Sequence, residues 1–118
     1  MDNSYKLKEV LSSISSDSCP GYLNFHCHTT LSDGSLEPEQ LIQKAVDLNV
    51  SHLAVTDHHC LQAYPIIKQW LIKNKDNHLH LPTLWTGIEI TCILKKCLVH
   101  VLAFGFDNNH PSMKIYSQ

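Results

Sequence analysis

Short apolar runs that predict strands alternate with helical segments along this chain. The predicted strands and helices, in chain order, cover residues 21–26 (strand), 38–49 (helix), 52–56 (strand), 61–73 (helix), 84–92 (strand) and 97–104 (strand). Strands that alternate with helices are typical of a mostly parallel sheet covered by helices. We therefore expect an α/β fold with mostly parallel strands and flanking helices.

The segments outside this alternation are polar. Residues 1–20 predict an amphipathic lead-in helix and a serine-rich linker, and residues 21–118 predict one domain. The apolar stripe of the lead-in helix would consist of Tyr5, Leu7, Val10, Leu11 and Ile14. The inner face of the helix from residue 38 would consist of Leu41, Ile42, Ala45, Val46 and Leu48. Residues 94–96 predict a hairpin turn, and the tail from 107 to 118 shows no clear element.

Composition excludes several classes of protein. A net charge of -2 with nine lysines and arginines gives no electrostatic footprint for nucleic acid. The five cysteines are odd in number and form no CxxC pair, which favours free thiols of a reducing compartment. The sequence shows neither the apolar core of a signal peptide nor a membrane-length apolar run. These features predict a cytoplasmic protein.

Histidines and carboxylates lie at the ends of the first two predicted strands and within the last two. The candidate metal ligands are His26, His28, Asp33, His58, Glu89 and His100. Imidazoles and carboxylates together suit divalent zinc, manganese or iron. A site that holds several such ions could hydrolyse an ester bond.

The first group of candidates follows the first strand. His26 and His28 are two residues apart, so both imidazoles can reach one ion while Cys27 points the other way into packing. Asp33 lies in a turn that could fold its carboxylate back to this pair. Alone, a His-x-His pair is better explained by chance or by a surface strand, and Ser-Asp-Gly is an ordinary turn.

The second group follows the second strand, where parallel α/β folds collect functional residues. His58 is the natural ligand of this group. Asp57 could orient an imidazole by accepting its other N–H, or it could cap the next helix, and both roles could hold together. We place His59 outside the ligand set.

The third group lies on the last two strands. Glu89 sits within an apolar run, and a buried carboxylate needs a metal, a base or strong donors. A carboxylate that bridges two ions meets this need, although a glutamate at a strand end could also face solvent. His100, flanked by apolar residues, would alone be a core histidine. In company with the other five candidates, we interpret it as a ligand.

Four motifs in this order resemble those of the PHP (polymerase and histidinol phosphatase) family. The motifs are HCHTTLSDG, TDHH, GIEIT and VHVLAFGFD, within residues 22–111. The stretch 107–111 resembles the stand-alone phosphoesterase branch. The resemblance implies the first half of a distorted (β/α)7 TIM-like barrel, with two or three metal ions at the C-terminal mouth.

The resemblance also implies which residues hold which ion. Glu89 would bridge the first and second ions. The other ligands would be His26 with His28 for the first ion, His100 for the second, and Asp33 with His58 for a third. The ions would be manganese, zinc or iron.

A metal-dependent phosphoesterase is the activity that the resemblance implies. A metal-activated hydroxide would attack the phosphorus of a nucleotide or a small phosphomonoester, with Asp57, His58 and Glu89 as catalytic residues. A nucleic-acid polymer as substrate has no support from the charge.

The length departs from the family pattern. A barrel of this type typically takes about 250 residues, and the later ligand motifs of the family do not follow residue 110. The alternative is a truncated, inactive PHP module that binds metal or a partner. The exposed sheet edge of a half barrel would favour self-association.

Overall fold

The structure is a computed structural model that describes residues 4–77 and 80–118. Residues 1–3 of the predicted lead-in and the side chain of Tyr5 lie outside the described residues. The helices are α1 (Ser4–Ser12), α2 (Pro38–Asp47) and α3 (Ala63–Asn74), and a 3-10 helix covers Pro111–Tyr116. The strands are β1 (Leu23–Asn24), β2 (His52–Ala54), β3 (Thr83–Trp85), β4 (Gly87–Leu94) and β5 (Cys97–Phe104).

The strands form two sheets. The first sheet has the order β1-β2-β3 with both pairs parallel, and β4 and β5 form a separate antiparallel hairpin. The predicted single strand 84–92 is therefore wrong, because the chain leaves the first sheet at Thr86. There the Thr86 hydroxyl donates to the Phe106 carbonyl at 2.8 Å, and the Thr86 carbonyl accepts from the Gly105 N–H at 3.0 Å. These bonds hold Thr86 between the two sheets.

Helix α2 covers the parallel sheet. Pro38 occupies its first turn, and the Gln40 side chain accepts a hydrogen bond from the Glu37 N–H at 2.9 Å. Of the predicted inner face, all but Leu48 is buried. Leu48 is 59% exposed because the helix ends at Asp47 and Asn49 adopts a positive φ of 56°. The main core consists of Leu41, Ile42, Ala45, Val50, Leu53, Val55, Ala63 and Ile67.

A second core cluster ties α1 to the sheet. Leu7 of α1 is buried against residues of the sheet and its flanks, namely Leu23, Phe25, Ala54 and Trp85. The predicted stripe of α1 is too wide, since the helix ends at Ser12 and both Leu11 and Ile14 are more than 40% exposed. The division of the chain at residue 20 remains a prediction.

The tail contains an element that the sequence pattern does not indicate. The predicted absence of structure after residue 107 is wrong, because Pro111–Tyr116 forms a 3-10 helix. His110 Nδ1 accepts from the Ser112 N–H at 3.2 Å, and the Tyr116 carbonyl accepts from the Leu61 N–H at 2.8 Å. None of the helices in residues 4–77 and 80–118 is long and apolar enough to cross a membrane.

The hairpin turn is confirmed and its register fixes the two faces of β4 and β5. Lys95 and Lys96 form the turn with φ values of 48° and 66°. Residues that pair directly across an antiparallel ladder share a face. One face therefore carries the pairs Glu89–Leu102, Thr91–His100 and Ile93–Leu98, and the other carries Ile88–Ala103, Ile90–Val101, Cys92–Val99 and Leu94–Cys97.

Candidate metal centre

The six candidate ligands meet at the carboxyl edge of the parallel sheet. His26 and His28 follow β1, and His58 follows β2. Glu89 lies on β4 just beyond β3, where a parallel bridge joins it to His58. Because the carboxyl ends of parallel strands meet at one edge, residues that are distant in sequence come together there.

Glu89 is the centre of the cluster, and its two oxygens face different imidazoles. Oε1 lies 2.9 Å from His26 Nε2 and 3.1 Å from His28 Nε2. Oε2 lies 3.3 Å from His100 Nδ1 and 3.9 Å from His58 Nδ1. The Glu89 side chain is only 6% exposed. One buried carboxylate thus serves two pairs of histidines.

The electrostatics of the cluster keep Glu89 ionised. Burial alone would raise the pKa of Glu89, but the hydrogen bond with His26 and the nearby charges of His58, His26 and His28 lower it below its ordinary value. The net direction is downward. A deprotonated carboxylate is the form that a metal ion requires.

Asp33 closes the cluster from the solvent side. Its Oδ1 lies 3.3 Å from His28 Nδ1, and its Oδ2 lies 3.2 Å from His58 Nε2. The rings of His28 and His58 stack with their centroids 4.6 Å apart and an interplanar angle of 21°. Each of these two imidazoles therefore lies between Asp33 and Glu89.

The cluster divides into three groups, in each of which the ligand atoms lie within 4.8 Å of one another. The groups are His26–His28–Glu89, His28–Asp33–His58 and His58–Glu89–His100. Among the described residues, the buried His28 Nδ1 makes no hydrogen bond, although Asp33 Oδ1 lies 3.3 Å away, and such an atom is uncommon in a protein interior. The donor set and this unsatisfied atom fit divalent metal ions. The share of each residue in each ion remains a prediction.

Asp57 has different neighbours from those that its position in the sequence indicates. Its Oδ1 accepts from the Thr29 N–H at 2.6 Å and from the Ser32 hydroxyl at 2.7 Å, and its Oδ2 accepts from the Thr29 hydroxyl at 2.7 Å. Within the described residues no imidazole bonds to Asp57. The alternative helix cap is wrong, because α3 begins only at Ala63. Asp57 instead anchors the loop that joins His28 to Asp33.

Gly34 allows that loop to turn tightly. Its N–H donates to the Thr29 carbonyl at 2.8 Å. A Cβ at this position would overlap the backbone carbonyl of His28. The Asp33-Gly34 turn thus brings the Asp33 carboxylate back to His28, as the sequence indicated.

Two residues beside the cluster, Thr91 and His59, are absent from the predicted ligand set. The Thr91 hydroxyl lies 3.0 Å from His100 Nδ1, and its N–H donates to His59 Nε2 at 3.0 Å. His59 is in none of the three groups. Both residues support the cluster from outside. The spacing of Thr91, two residues after Glu89 on one strand face, was the available signal.

Cys27 points away from the cluster. Its Sγ donates to the Ala54 carbonyl at 3.5 Å, and it packs against the main core. Burial, with the nearby Asp57 charge, raises the pKa of Cys27 to about 12. The thiol therefore stays protonated and is not a ligand at neutral pH.

Comparisons with known proteins indicate the family and the fold of the chain. The family model for the PHP domain matches residues 24–112. The chain is 35% identical over 91 residues to the 5'-3' exoribonuclease Rnm of Salmonella typhimurium, covering 77% of this chain and 30% of the relative. It is 34% identical over 90 residues to Rnm of Escherichia coli, covering 76% of this chain and 29% of the relative. The chain thus spans under a third of the length of these relatives.

Two solved structures share the fold. A proposed metal-dependent phosphoesterase from Bifidobacterium adolescentis gives a TM-score of 0.65 at 30% identity, covering 76% of this chain and 29% of the other. An amidohydrolase from Chromobacterium violaceum gives a TM-score of 0.66 at 24% identity, covering 77% and 30%. The predicted fold class is confirmed, and this chain covers part of that fold.

Proposed function

The chain belongs to the PHP domain family, and on that premise we propose that its histidine and carboxylate cluster is the metal centre of a phosphoesterase. The substrate would be a phosphate ester of the nucleotide kind. The similar proteins include an exoribonuclease and a proposed phosphoesterase, and both activities support this class of reaction. Manganese, zinc and iron all suit the donor set.

The position of Glu89 carries the proposal. A buried carboxylate whose oxygens face two separate histidine pairs is the arrangement expected of a bridge between two ions. When bound, divalent ions polarise a phosphate and lower the pKa of a water molecule to about 7. Glu89, His28 and His58, which each belong to two of the three groups, would each help to hold neighbouring ions.

Asp33 and Asp57 would shape the site and would not attack the phosphate. Asp33 is 65% exposed and would close the solvent side of the centre. Asp57 would be a positioning residue, because its carboxylate holds the loop between His28 and Asp33 and contacts no imidazole among the described residues. This assignment replaces the catalytic role that the resemblance implies for Asp57.

Metal content and hydrolysis together test the proposal. The purified chain should contain divalent metal by elemental analysis and should hydrolyse p-nitrophenyl phosphate with added manganese, with activity lost in chelator. Glu89→Gln should lower both the metal content and the hydrolysis. Glu39→Gln, an exposed carboxylate on α2, is the matched control and should change neither. Equal metal in the parent and in Glu89→Gln would contradict the proposed centre.

One observation favours a second function, that of an inactive module that binds a partner. The hairpin face opposite the cluster is apolar, with Leu94 60% and Val101 48% exposed. Exposed apolar surface often marks an interaction site. Metal binding without hydrolysis, together with a dimer in analytical ultracentrifugation that Val101→Ser disrupts, would support this function over the first.

A further inference from the structure

The β4–β5 hairpin extends beyond the metal centre on the same face. Thr91 and His100 form one cross-strand pair, and Ile93 and Leu98 form the next pair on that face. Residues two positions apart on a strand lie about 7 Å from each other. The side chains of Ile93 and Leu98 therefore lie next to the row that carries His100.

This outer pair is apolar and open to solvent. Ile93 is 78% exposed and Leu98 is 66% exposed. Exposed apolar side chains that stand singly need no explanation, but these two face each other beside a cluster of polar ligands. They form a small platform at the rim of the site.

Two cations follow the platform. Lys95 and Lys96 form the turn of the hairpin, and both are exposed. The whole chain carries a net charge of -2, so the positive charge of Lys95 and Lys96 is confined to this tip of the hairpin. From Thr91 to Lys95 the strand spans about 13 Å. A substrate that reaches these lysines from the metal centre must be longer than a single phosphate.

We propose that the outer part of the hairpin is a binding arm for a single-stranded nucleic acid whose terminal phosphate lies at the metal centre. This arm comprises Ile93, Leu98, Lys95 and Lys96, and the inference rests on the proposed phosphoesterase function. The base next to the reacting phosphate lies on Ile93 and Leu98. The phosphates that follow it approach the two lysines. Single-strand binding sites usually combine cations for the backbone with side chains that pack against the bases, most often aromatic ones. Here the packing surface is aliphatic.

The charges argue against the other occupants of this surface. A small phosphomonoester does not extend from the cluster to Lys95. A second copy that packed tip against tip would bring its own Lys95 and Lys96 toward these two, and like charges in close apposition are destabilising. A polyanion with apolar faces matches both halves of the arm.

Four double variants of the full chain test the arm. Ile93→Ser with Leu98→Ser removes the platform, and Lys95→Glu with Lys96→Glu reverses the charge. The matched control for the first is Leu48→Ser with Ile72→Ser, two exposed apolar residues outside the hairpin, after α2 and on α3. The matched control for the second is Lys73→Glu with Lys75→Glu, both exposed at the end of α3.

The main readout is the Kd for a fluorescein-labelled, 5'-phosphorylated RNA oligonucleotide, measured by anisotropy with manganese and over a range of salt. Each arm variant should weaken binding about tenfold. The lysine variant should also lower the slope of log Kd against log salt by about 1.4, since each phosphate contact on a single strand contributes about 0.7. The control variants should bind within about twofold of the parent.

Hydrolysis of p-nitrophenyl phosphate separates this inference from the proposed function. If the parent does not hydrolyse it, the proposed function fails, and the oligonucleotide Kd still tests the arm. Arm variants that bind the oligonucleotide like the parent would overturn the inference, as would a parent that does not bind it. A change in sedimentation without a change in Kd would instead make the tip a contact between copies, which also overturns it.

Discussion

The Asp57 carboxylate accepts two hydrogen bonds from Thr29, one from the backbone N–H at 2.6 Å and one from the hydroxyl at 2.7 Å. Both residues are almost completely buried, with 1% and 0% exposure. The bonds tie the end of β2 to the loop after β1. The stability of the fold and the position of His28 therefore depend on the same contact.

Replacing Asp57 should affect stability and metal affinity together. Asp57→Ala leaves the buried N–H and hydroxyl of Thr29 without an acceptor and should lower the free energy of unfolding by about 3 kcal/mol. Metal affinity should fall about tenfold, because the loop that carries His28 loses its anchor. Urea unfolding and a competition titration with a metal indicator measure the two effects. Asp57→Asn keeps an acceptor oxygen and should lose less stability, so equal losses in both variants would contradict this role.

Gly34 should tolerate no side chain. Gly34→Ala places a Cβ against the His28 carbonyl, so the turn must open, and the free energy of unfolding should fall by about 1–3 kcal/mol. The matched control is Gly21→Ala, where a Cβ meets nothing within 4 Å. Thermal unfolding of the two variants compares them directly. A Tm for Gly34→Ala as high as that of Gly21→Ala would show that the turn is looser than its contacts indicate.

Thr91 should support one part of the metal centre. Thr91→Val removes the hydroxyl beside His100 Nδ1 and keeps the shape of the side chain. Affinity at the His58–Glu89–His100 group should fall about tenfold, because the His100 ring loses the hydrogen bond that holds its orientation on the strand. The metal-to-protein ratio at limiting metal concentration measures this loss. Thr83→Val, at an exposed strand position, should keep the ratio of the parent.

His52 should make stability depend on pH. Burial lowers the pKa of His52 below its ordinary 6.5, and its neutral Nδ1 accepts from the Trp85 indole N–H at 3.1 Å. The folded state therefore binds this proton less readily than the unfolded state. The stability that neutral His52 contributes is present above about pH 6.5 and is lost as the pH falls through the folded pKa.

Tm profiles from pH 8 to pH 5 measure this effect. His52→Gln keeps an acceptor without a titrating group, so its Tm should fall less than that of the parent over this range. His80→Gln, which replaces an exposed histidine, should follow the parent. Parallel profiles for the parent and His52→Gln would refute the prediction.

The fold was predictable where short-range pattern decides the structure. Pro38 and the spacing of the apolar residues after it predicted α2, since both act within one or two turns of the chain. The strand after it was predicted because its apolar run is bounded by polar residues. The meeting of His26, His58 and Glu89 followed from the parallel order of the strands, which collects their carboxyl ends at one edge.

The break at Thr86 was not predictable from its surroundings. The run from 84 to 90 is mostly apolar on both sides of Thr86. Its one local signal is Gly87, and a glycine in a strand indicates a bulge or a close backbone contact as readily as a change of sheet. The bonds that hold Thr86 come from Gly105 and Phe106, about twenty residues away. The 3-10 helix at the tail is a similar case, because it docks through the contact of Tyr116 with Leu61.

The neighbours of Asp57 could not be assigned from the motif either. In an Asp-His pair at a strand end, the two side chains point to opposite faces of the sheet. The sequence does not say which residues on its face the aspartate carboxylate will contact. Thr29 and Ser32 gave no signal of their own, since hydroxyl residues are ordinary in loops. The orientation depends on where the loop after β1 returns.

The turn at Lys95 and Lys96 has a consequence for the stability of the hairpin. Both residues have a positive φ without being glycine, which is a strained conformation for a long side chain. Asn-Gly at the two positions would relieve this strain in a tight hairpin turn. The natural sequence keeps two lysines there instead, so the hairpin is less stable than Asn-Gly would make it, and the positive charge at its end comes at the cost of backbone strain.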